Sequence, residues 1–192
     1  MNFMSEYRPK IGITQGDING VGWEVILRTL ADSRITEIFT PVVYGSLKAA
    51  KTYMPLLDSE EGEKVEFNIV PSAREARFGK VNLVECGEAT PTPGIASAEA
   101  GKAAVEALEK AMTDLGDKLT EDDKAPVNAA IEKLRETVKG GDTEAIKADT
   151  EKLEKAFYAL SEKLYKQQGA DPNMGGADTG ASYDGAYNAD FE

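Results

Sequence analysis

The sequence predicts an α/β fold with a truncated, mostly parallel sheet and flanking helices, followed by an α-helical hairpin and a disordered acidic tail. Short apolar runs alternate with helical stretches over residues 1–115, which is the pattern of a layered α/β fold. Long, charge-dense segments follow, and residues 169–192 contain no Leu, Ile, Val, Lys or Arg. We therefore expect three units: an α/β segment at 1–115, a helical segment at 116–168 and the tail at 169–192.

The elements of the α/β segment follow from apolar runs and helical periodicity. A sheet of buried parallel strands needs helices on both faces, and about 115 residues is short for that arrangement. The alanine-rich last helix has a row of small side chains suited to packing on a sheet, namely Ala100, Ala104, Leu108 and Ala111. The predicted strands are 10–14, 41–44, 65–70 and 80–86, and the predicted helices are 21–31, 46–53 and 97–115.

Two helices are expected in the second segment. Thr120 with Asp123 resembles a capping pair at a helix start. Apolar residues then recur at helical spacing, first at Val127, Ile131, Leu134 and Val138 and later at Ile146, Leu153, Phe157, Leu160 and Leu164. The glycines at 140 and 141 end the first helix, and the short connection makes the pair an antiparallel hairpin.

Composition excludes several classes of partner. The chain carries 22 Lys and Arg against 34 Asp and Glu, a formal net charge of −12, so neither nucleic acid nor an anionic membrane is an expected partner. No apolar run approaches the roughly 20 residues of a membrane span, and the first ten residues lack the apolar core of a signal peptide. A single cysteine, Cys86, precludes an internal disulfide. These features together predict a cytoplasmic location.

The chain contains no histidine. Ser-His-Asp triads, Cys-His dyads and histidine-ligated metal sites are therefore excluded. We expect no metal site and assign no catalytic residue.

The turn after the first predicted strand is the strongest candidate for ligand binding. It contains Gly16, Asp17, Gly20, Gly22 and Glu24. Glycines at a strand-to-helix turn let backbone amides approach a ligand. The spacing matches neither a dinucleotide fingerprint nor a P-loop, and Asp17 would repel a phosphate. A carboxylate there suits a hydroxyl, an ammonium group or a metal ion, whereas the alternative is a tight turn capped by Asp17.

Residues 10–115 resemble the N-terminal part of the 4-hydroxythreonine-4-phosphate dehydrogenase (PdxA-type) family. The residues that carry this resemblance are Ile13–Asp17, Gly20–Gly22, Glu24, Tyr44–Ser46, Gly94–Ser97 and Gly101–Ala104. The family motif has proline where Ile18 and Trp23 stand here. The resemblance implies oxidation of a phosphorylated hydroxy-amino acid in pyridoxal phosphate synthesis, with NAD and a divalent metal held by histidines at a dimer interface.

Residues 116–192 resemble a different family, the C-terminal helical lid and tail of DnaK-type chaperones. The matching stretches are Gly116–Lys124, Leu134–Asp142, Phe157–Gln168 and the ending Asp190–Glu192. In that family the bundle closes over a peptide-binding domain. The chain thus resembles a chimera of two incomplete proteins.

Three functions of different classes are consistent with these features. The first is a dehydrogenase, whose metal ligands and most of whose substrate site would lie beyond the matched segment. The second is a chaperone-related interaction module in residues 116–192, which would contact unfolded peptides or chaperones. The third, which the sequence favours, is a dehydrogenase-like fragment without independent catalysis and without a bound cofactor. A sheet lacking further strands would also self-associate through its open edge.

Overall fold

The structure is a computed structural model that describes residues 8–57, 65–114 and 119–169. Four strands form one parallel sheet in the order β1-β2-β4-β3. The strands are β1 (Lys10–Thr14), β2 (Thr40–Gly45), β3 (Phe67–Val70) and β4 (Val81–Glu85). The helices are α1 (Gly22–Leu30), α2 (Ile35–Ile38), α3 (Leu47–Tyr53), α4 (Ala98–Asp114), α5 (Glu121–Gly140) and α6 (Thr143–Gly169).

The predicted α/β fold is confirmed in its main elements. Each predicted strand and helix is present, with ends that differ from the predicted ones by at most two residues. The sequence pattern did not predict α2, because four residues are too few to show helical periodicity. Every residue of β2 is buried, as expected for a central strand of a parallel sheet.

Two apolar clusters contain the sheet residues. In one, Val43 and Leu83 pack with side chains of α1 and α3, among them the fully buried Trp23. In the other, residues of β2, β3 and β4 pack with the C-terminal half of α4 through Ala107 and Ala111. Short alanine side chains let the helix axis come close to the sheet.

Helix α4 has a second apolar row that contacts the hairpin. Val105, Leu108 and Met112 share a cluster with buried residues of α5 and α6. Leu108 was expected to pack on the sheet, and that expectation is wrong. The sheet-facing row is Ala100, Ala103, Ala107 and Ala111, and Leu108 lies with the larger side chains next to it.

Helices α5 and α6 form the predicted hairpin. Thr120 and Asp123 make a reciprocal capping box at the start of α5, and Gly141 adopts the left-handed conformation (φ 72°) that ends it. Asp142 then caps α6, since its Oδ1 accepts from the backbone N–H of Ala145. Lys163 near the far end of α6 pairs with Asp123, which ties the two helices together.

The predicted join between the two segments and the predicted tail stay predictions. The join at 115–118 lies outside the described residues, and so does the predicted tail except Gly169, which is the last residue of α6. The division into 1–115 and 116–168 stays a prediction, although α4 packs against both the sheet and the hairpin. In the described part of the chain, no helix is long and apolar enough to cross a membrane.

Candidate functional site

The candidate loop joins β1 to α1 at the carboxyl edge of the sheet, the edge at which open parallel sheets bind ligands. Its first residue after the strand is Gln15, followed by Gly16 with a positive φ of 63°. The backbone then turns back, because Gly20 N–H donates to the Asp17 carbonyl over 3.1 Å. Asp17 Oδ1 accepts from the backbone N–H of Asn19 over 2.9 Å, which is an Asx turn.

Two of the three loop glycines are required by the backbone itself. A Cβ on Gly22 would lie 2.5 Å from the carbonyl oxygen of Gln15, which is too close for any side chain. Gly16 needs the left-handed region that glycine adopts without strain. A Cβ on Gly20 would make only an ordinary contact, 3.4 Å from the Asp17 carbonyl oxygen. Folding therefore accounts for Gly16 and Gly22, and it does not account for Gly20.

The two acidic candidates are in different environments. Asp17 is half-buried and uses one carboxylate oxygen in the turn. Glu24 lies on α1, where its Oε1 accepts from Nε of Arg28 one turn later over 2.9 Å, with both side chains about half exposed. That exposed pair adds little stability. Of the two carboxylates, Asp17 is the one built into the loop.

Sequence reasoning missed Gln15, which is the polar centre of the loop. Its side chain is buried, and its Oε1 accepts from the indole N–H of Trp23 (3.1 Å) and from the backbone N–H of Ser46 (2.8 Å). Its Nε2 donates to the Ala103 carbonyl in α4. Gly45 has no room for a side chain there, because a Cβ would lie 2.8 Å from Gln15 Oε1. A glutamine directly after an apolar strand was the available signal.

Asn19, also missed, fixes a second segment against the loop. Its Nδ2 donates to the Ile95 carbonyl (2.5 Å) and to Ser97 Oγ (3.2 Å), and its Oδ1 accepts from Thr92 N–H (2.7 Å). The Asn19 carbonyl also accepts from Gly94 N–H. Asn19 is 5% exposed, so these bonds replace its lost hydration.

The motif residues that carried the first resemblance converge in space. Gln15 N–H donates to the Tyr44 carbonyl, and its side chain binds Ser46, so the loop and the end of β2 are held together. Asn19 joins the same loop to Ser97 at the start of α4. Three stretches far apart in sequence thus form one hydrogen-bonded unit at the carboxyl edge.

A cleft of about 370 Å³ lies near this unit, between the first turn of α3 and helix α4. Both lysine and glutamate side chains line the cleft, so its composition does not favour an anionic ligand. At the end of β4, Glu85 accepts from the backbone N–H of Leu47 at the start of α3, and burial raises the pKa of Glu85. The lining residues are Lys48, Glu88, Ala89, Thr90, Glu99, Lys102, Ala103 and Glu106.

The loop also contacts the helical hairpin through Glu154 of α6. Glu154 Oε1 lies 3.1 Å from the position a Gly16 Cβ would occupy. Partial burial of the Glu154 carboxylate raises its pKa, the Asp17 backbone N–H lowers it by hydrogen bonding, and the Asp17 carboxylate raises it by repulsion. On balance the pKa of Glu154 is raised, and burial is the largest cause.

A histidine-held divalent metal does not fit the residues present. The sequence has no histidine, and within the described ranges no three His, Cys, Asp or Glu side chains group closely enough to hold a metal ion. The one cysteine, Cys86, is buried after β4, and burial raises its thiol pKa to about 11. It is therefore protonated and unreactive near neutral pH.

Two curated dehydrogenases are similar to part of the chain. The 4-hydroxythreonine-4-phosphate dehydrogenase of Bacteroides thetaiotaomicron is 42% identical over 118 residues, which is 58% of this chain and 30% of that protein. The D-threonate 4-phosphate dehydrogenase of Cupriavidus necator is 34% identical over 136 residues, 65% of this chain and 38% of that protein. This chain thus spans less than two fifths of the length of either.

A solved structure gives a match of similar extent. The 4-hydroxythreonine-4-phosphate dehydrogenase from Burkholderia phymatum is 30% identical, with a TM-score of 0.49, over 58% of this chain and 34% of that one.

The Hsp70 protein family model matches residues 88–166. This range takes in α4, α5 and most of α6, so it begins before residue 116, where the second resemblance starts. The chain therefore has partial similarity to PdxA-type dehydrogenases over its N-terminal part and an Hsp70 family match toward its C-terminal part.

Proposed function

We propose that residues 10–115 are an N-terminal segment of a 4-hydroxythreonine-4-phosphate dehydrogenase-like protein, joined to a chaperone lid-like helical segment. The observation that carries the dehydrogenase assignment is the 42% identity over 118 residues with the Bacteroides thetaiotaomicron enzyme. The convergence of the Gln15 loop, Ser46 and Ser97 at the carboxyl edge supports it, because such an edge is where α/β proteins bind ligands.

We propose further that this chain does not catalyse the oxidation by itself. A catalytic metal contributes several kcal/mol by polarising the substrate oxygen, and about 4 kcal/mol corresponds to roughly a thousandfold in rate. The histidine ligands for such a metal do not exist in this sequence. Ligand contact, if retained, would use the loop with Gly16, Asp17, Gly20, Gly22 and Glu24, and Asp17 is the residue best placed for it.

The test is an assay of NADH formation from 4-hydroxythreonine phosphate, NAD and a divalent metal. We expect no rate above the no-protein control. Metal-dependent NADH formation that Asp17→Ala abolishes would overturn the proposal of inactivity. Glu37→Ala, a change at an exposed position on α2, is the matched control.

We also propose that the chain self-associates through the open edge of its sheet. Within the described residues β1 pairs with β2 alone, and its Ile11 is 41% exposed. Ile11→Lys should reduce association, as charge blocks edge pairing, whereas Ile38→Lys on exposed α2 should not. Sedimentation that shows a monomer at every concentration in the unchanged protein would contradict this proposal.

The Hsp70 family match favours a second candidate, a protein-interaction module that uses the helical segment. The apolar rows of α5 and α6 are packed against α4, so a bound peptide would contact outer residues such as Tyr158, which is 75% exposed. Anisotropy of a labelled extended apolar peptide tests this candidate. Binding that Tyr158→Ala weakens, and Tyr183→Ala does not, would support it, and absence of binding would exclude it.

A further inference from the structure

The segment between β3 and β4 has a fixed backbone and exposed basic side chains. Asn82, fully buried in β4, accepts at Oδ1 from the Arg77 N–H (2.8 Å) and donates from Nδ2 to the Arg77 carbonyl (2.9 Å). Asp114 at the end of α4 accepts from the Ala73 N–H over 2.8 Å. These bonds hold the segment on the sheet, so Arg77 and Lys80 extend into solvent from a defined position.

Basic residues at the start of β1 extend the same surface. Lys10 Nζ donates to the carbonyls of Ala73 and Arg74. The Arg8 guanidinium lies 4.3 Å from the centre of the Phe78 ring, which is a cation–π contact, and Phe78 is still 57% exposed. We call these residues the basic surface: Arg8, Lys10, Arg74, Arg77, Phe78 and Lys80.

The basic surface has the opposite charge to the chain as a whole. The stretches that carry it, 8–14 and 65–80, contain five Lys and Arg and two acidic residues, whereas the formal net charge of the chain is −12. Within the ranges that the structure describes, no carboxylate forms an ion pair with Arg77 or Lys80. Positive charge beside an exposed aromatic ring favours an acidic partner that also has aromatic side chains.

The chain itself contains such a segment. Residues 170–192 include five Asp and Glu, no Lys or Arg, and aromatic side chains at intervals of four residues, namely Tyr183, Tyr187 and Phe191. Residues 58–64 are also acidic, but they include a lysine and no aromatic side chain. Because aromatic rings stack on guanidinium groups and on other rings, residues 170–192 are the better match.

Helix α6 delivers this segment to the same end of the molecule. Leu160 of α6 and Met112 of α4 belong to one apolar cluster, and two residues after Met112 the Asp114 carboxylate binds Ala73 beside the basic surface. Residues 170–192 follow the last residue of α6 and span at most roughly 75 Å when extended. That is more than twice the length of α5, which is about 30 Å, so the basic surface is within reach.

We propose that residues 170–192 dock on the basic surface of the same chain, with carboxylates near Arg77 and Lys80 and an aromatic side chain against Phe78. Attraction between opposite charges requires no particular conformation of the docked residues. A segment of the same chain acts at an effective concentration of roughly millimolar, so it excludes more dilute acidic segments of other proteins. The inference does not depend on the proposed dehydrogenase origin.

Paramagnetic broadening of amide resonances in the full chain tests the docking. A nitroxide is attached after Ser182→Cys. Cys86 is buried and its thiol is protonated near neutral pH, so the label goes to the new thiol. We expect loss of signal at the amides of Phe78 and Gly79, and none at Lys139 beside the hairpin turn.

Charge-reversal variants test the role of charge. Arg77→Glu with Lys80→Glu should abolish the signal loss, and 1 M salt should reduce it, because the Debye length falls to about 3 Å. Lys139→Glu with Lys147→Glu changes the net charge equally at exposed positions near the hairpin turn, so this matched control should leave the loss unchanged. Trp23 fluorescence confirms folding, and Arg77→Gln with Lys80→Gln replaces the reversal variant if that variant unfolds.

Three results would overturn the proposal. The first is unchanged signal at Phe78 and Gly79, or a loss that persists after charge reversal. The second is a loss of signal in a mixture of nitroxide-labelled and isotope-labelled molecules, which would show docking between two copies. The third concerns the other acidic segment: Asp184→Asn with Asp190→Asn should shift the Phe78 and Gly79 resonances, and a shift produced only by Glu60→Gln with Glu61→Gln would assign the surface to residues 58–64.

Discussion

The indole N–H of Trp23 donates to Oε1 of Gln15 over 3.1 Å, and neither side chain has more than 1% of its surface exposed. Gln15 Oε1 also accepts from Ser46 N–H. One oxygen thus satisfies two donors buried between β1, α1 and β2. Each donor left unpaired would cost about 1–3 kcal/mol.

The substitution Gln15→Leu should therefore lower the free energy of unfolding by about 2–4 kcal/mol, since it keeps volume and removes the shared acceptor. Urea unfolding followed by Trp23 fluorescence measures the change. Asn128→Ala, at an exposed amide on α5, should stay within about 0.5 kcal/mol of the unchanged protein. A loss below about 1 kcal/mol for Gln15→Leu would contradict the buried network.

Asn19→Ala should release the segment at residues 92–97 in a specific pattern. Thr92 N–H donates to the Asn19 side chain, whereas Gly94 N–H donates to the Asn19 backbone carbonyl. Hydrogen exchange should therefore accelerate more at Thr92 than at Gly94. Equal acceleration at both amides would mean that the side chain does not hold the segment.

Gly22→Ala should destabilise the fold by about 1–3 kcal/mol or more, because the new methyl group would meet the Gln15 carbonyl at 2.5 Å. Gly140→Ala is the matched change, since a Cβ there meets nothing within 4 Å, and it should be neutral or stabilise α5 by up to about 1 kcal/mol. Thermal unfolding by circular dichroism compares the two variants. Equal midpoints would contradict the close approach at Gly22.

Acid should weaken the α5–α6 pairing through Asp123. The Lys163 ammonium and the Thr120 side chain and backbone lower the Asp123 pKa to about 2. A carboxylate whose folded pKa is depressed stabilises the fold above its unfolded pKa, about 3.9, and this contribution is lost as pH falls from there toward 2.

Thermal midpoints measured between pH 5 and pH 2 test this dependence. The difference in midpoint between the unchanged protein and Asp123→Asn should shrink as the pH falls. Asp122→Asn, at the exposed neighbouring position, should show no comparable trend. A constant difference for Asp123→Asn would show that ionisation of Asp123 is not involved.

Local patterns predicted the elements well. Buried parallel strands are recognisable as apolar runs, and the capping box at Thr120 and the left-handed Gly141 depend on residues within a few positions of each other. The row on α4 was predicted less well. Periodicity places Leu108 near the alanine row, but it cannot say which neighbour each side of a buried helix meets.

The sequence predicted where the candidate loop lies, but it predicted the roles of only some of its residues. Its glycines and Asp17 stand out in the sequence, and the structure explains Gly16, Gly22 and Asp17 as parts of a turn. Gln15 is recognisable as a glutamine directly after an apolar strand, but the bonds that Gln15 and Asn19 make to other segments span 31 to 88 residues, so no local pattern reveals those partners. The contact between Glu154 and the loop joins segments still farther apart in the sequence.

The two rows of α4 connect the sheet to the hairpin on which Glu154 lies. The alanine row sets the distance between α4 and the sheet, and the neighbouring row of larger side chains packs against the hairpin that carries Glu154. A bulkier residue in the alanine row would push α4 away from the sheet. The hairpin packed on α4 would then move with it. Small changes beneath α4 would thereby alter the separation between Glu154 and Asp17.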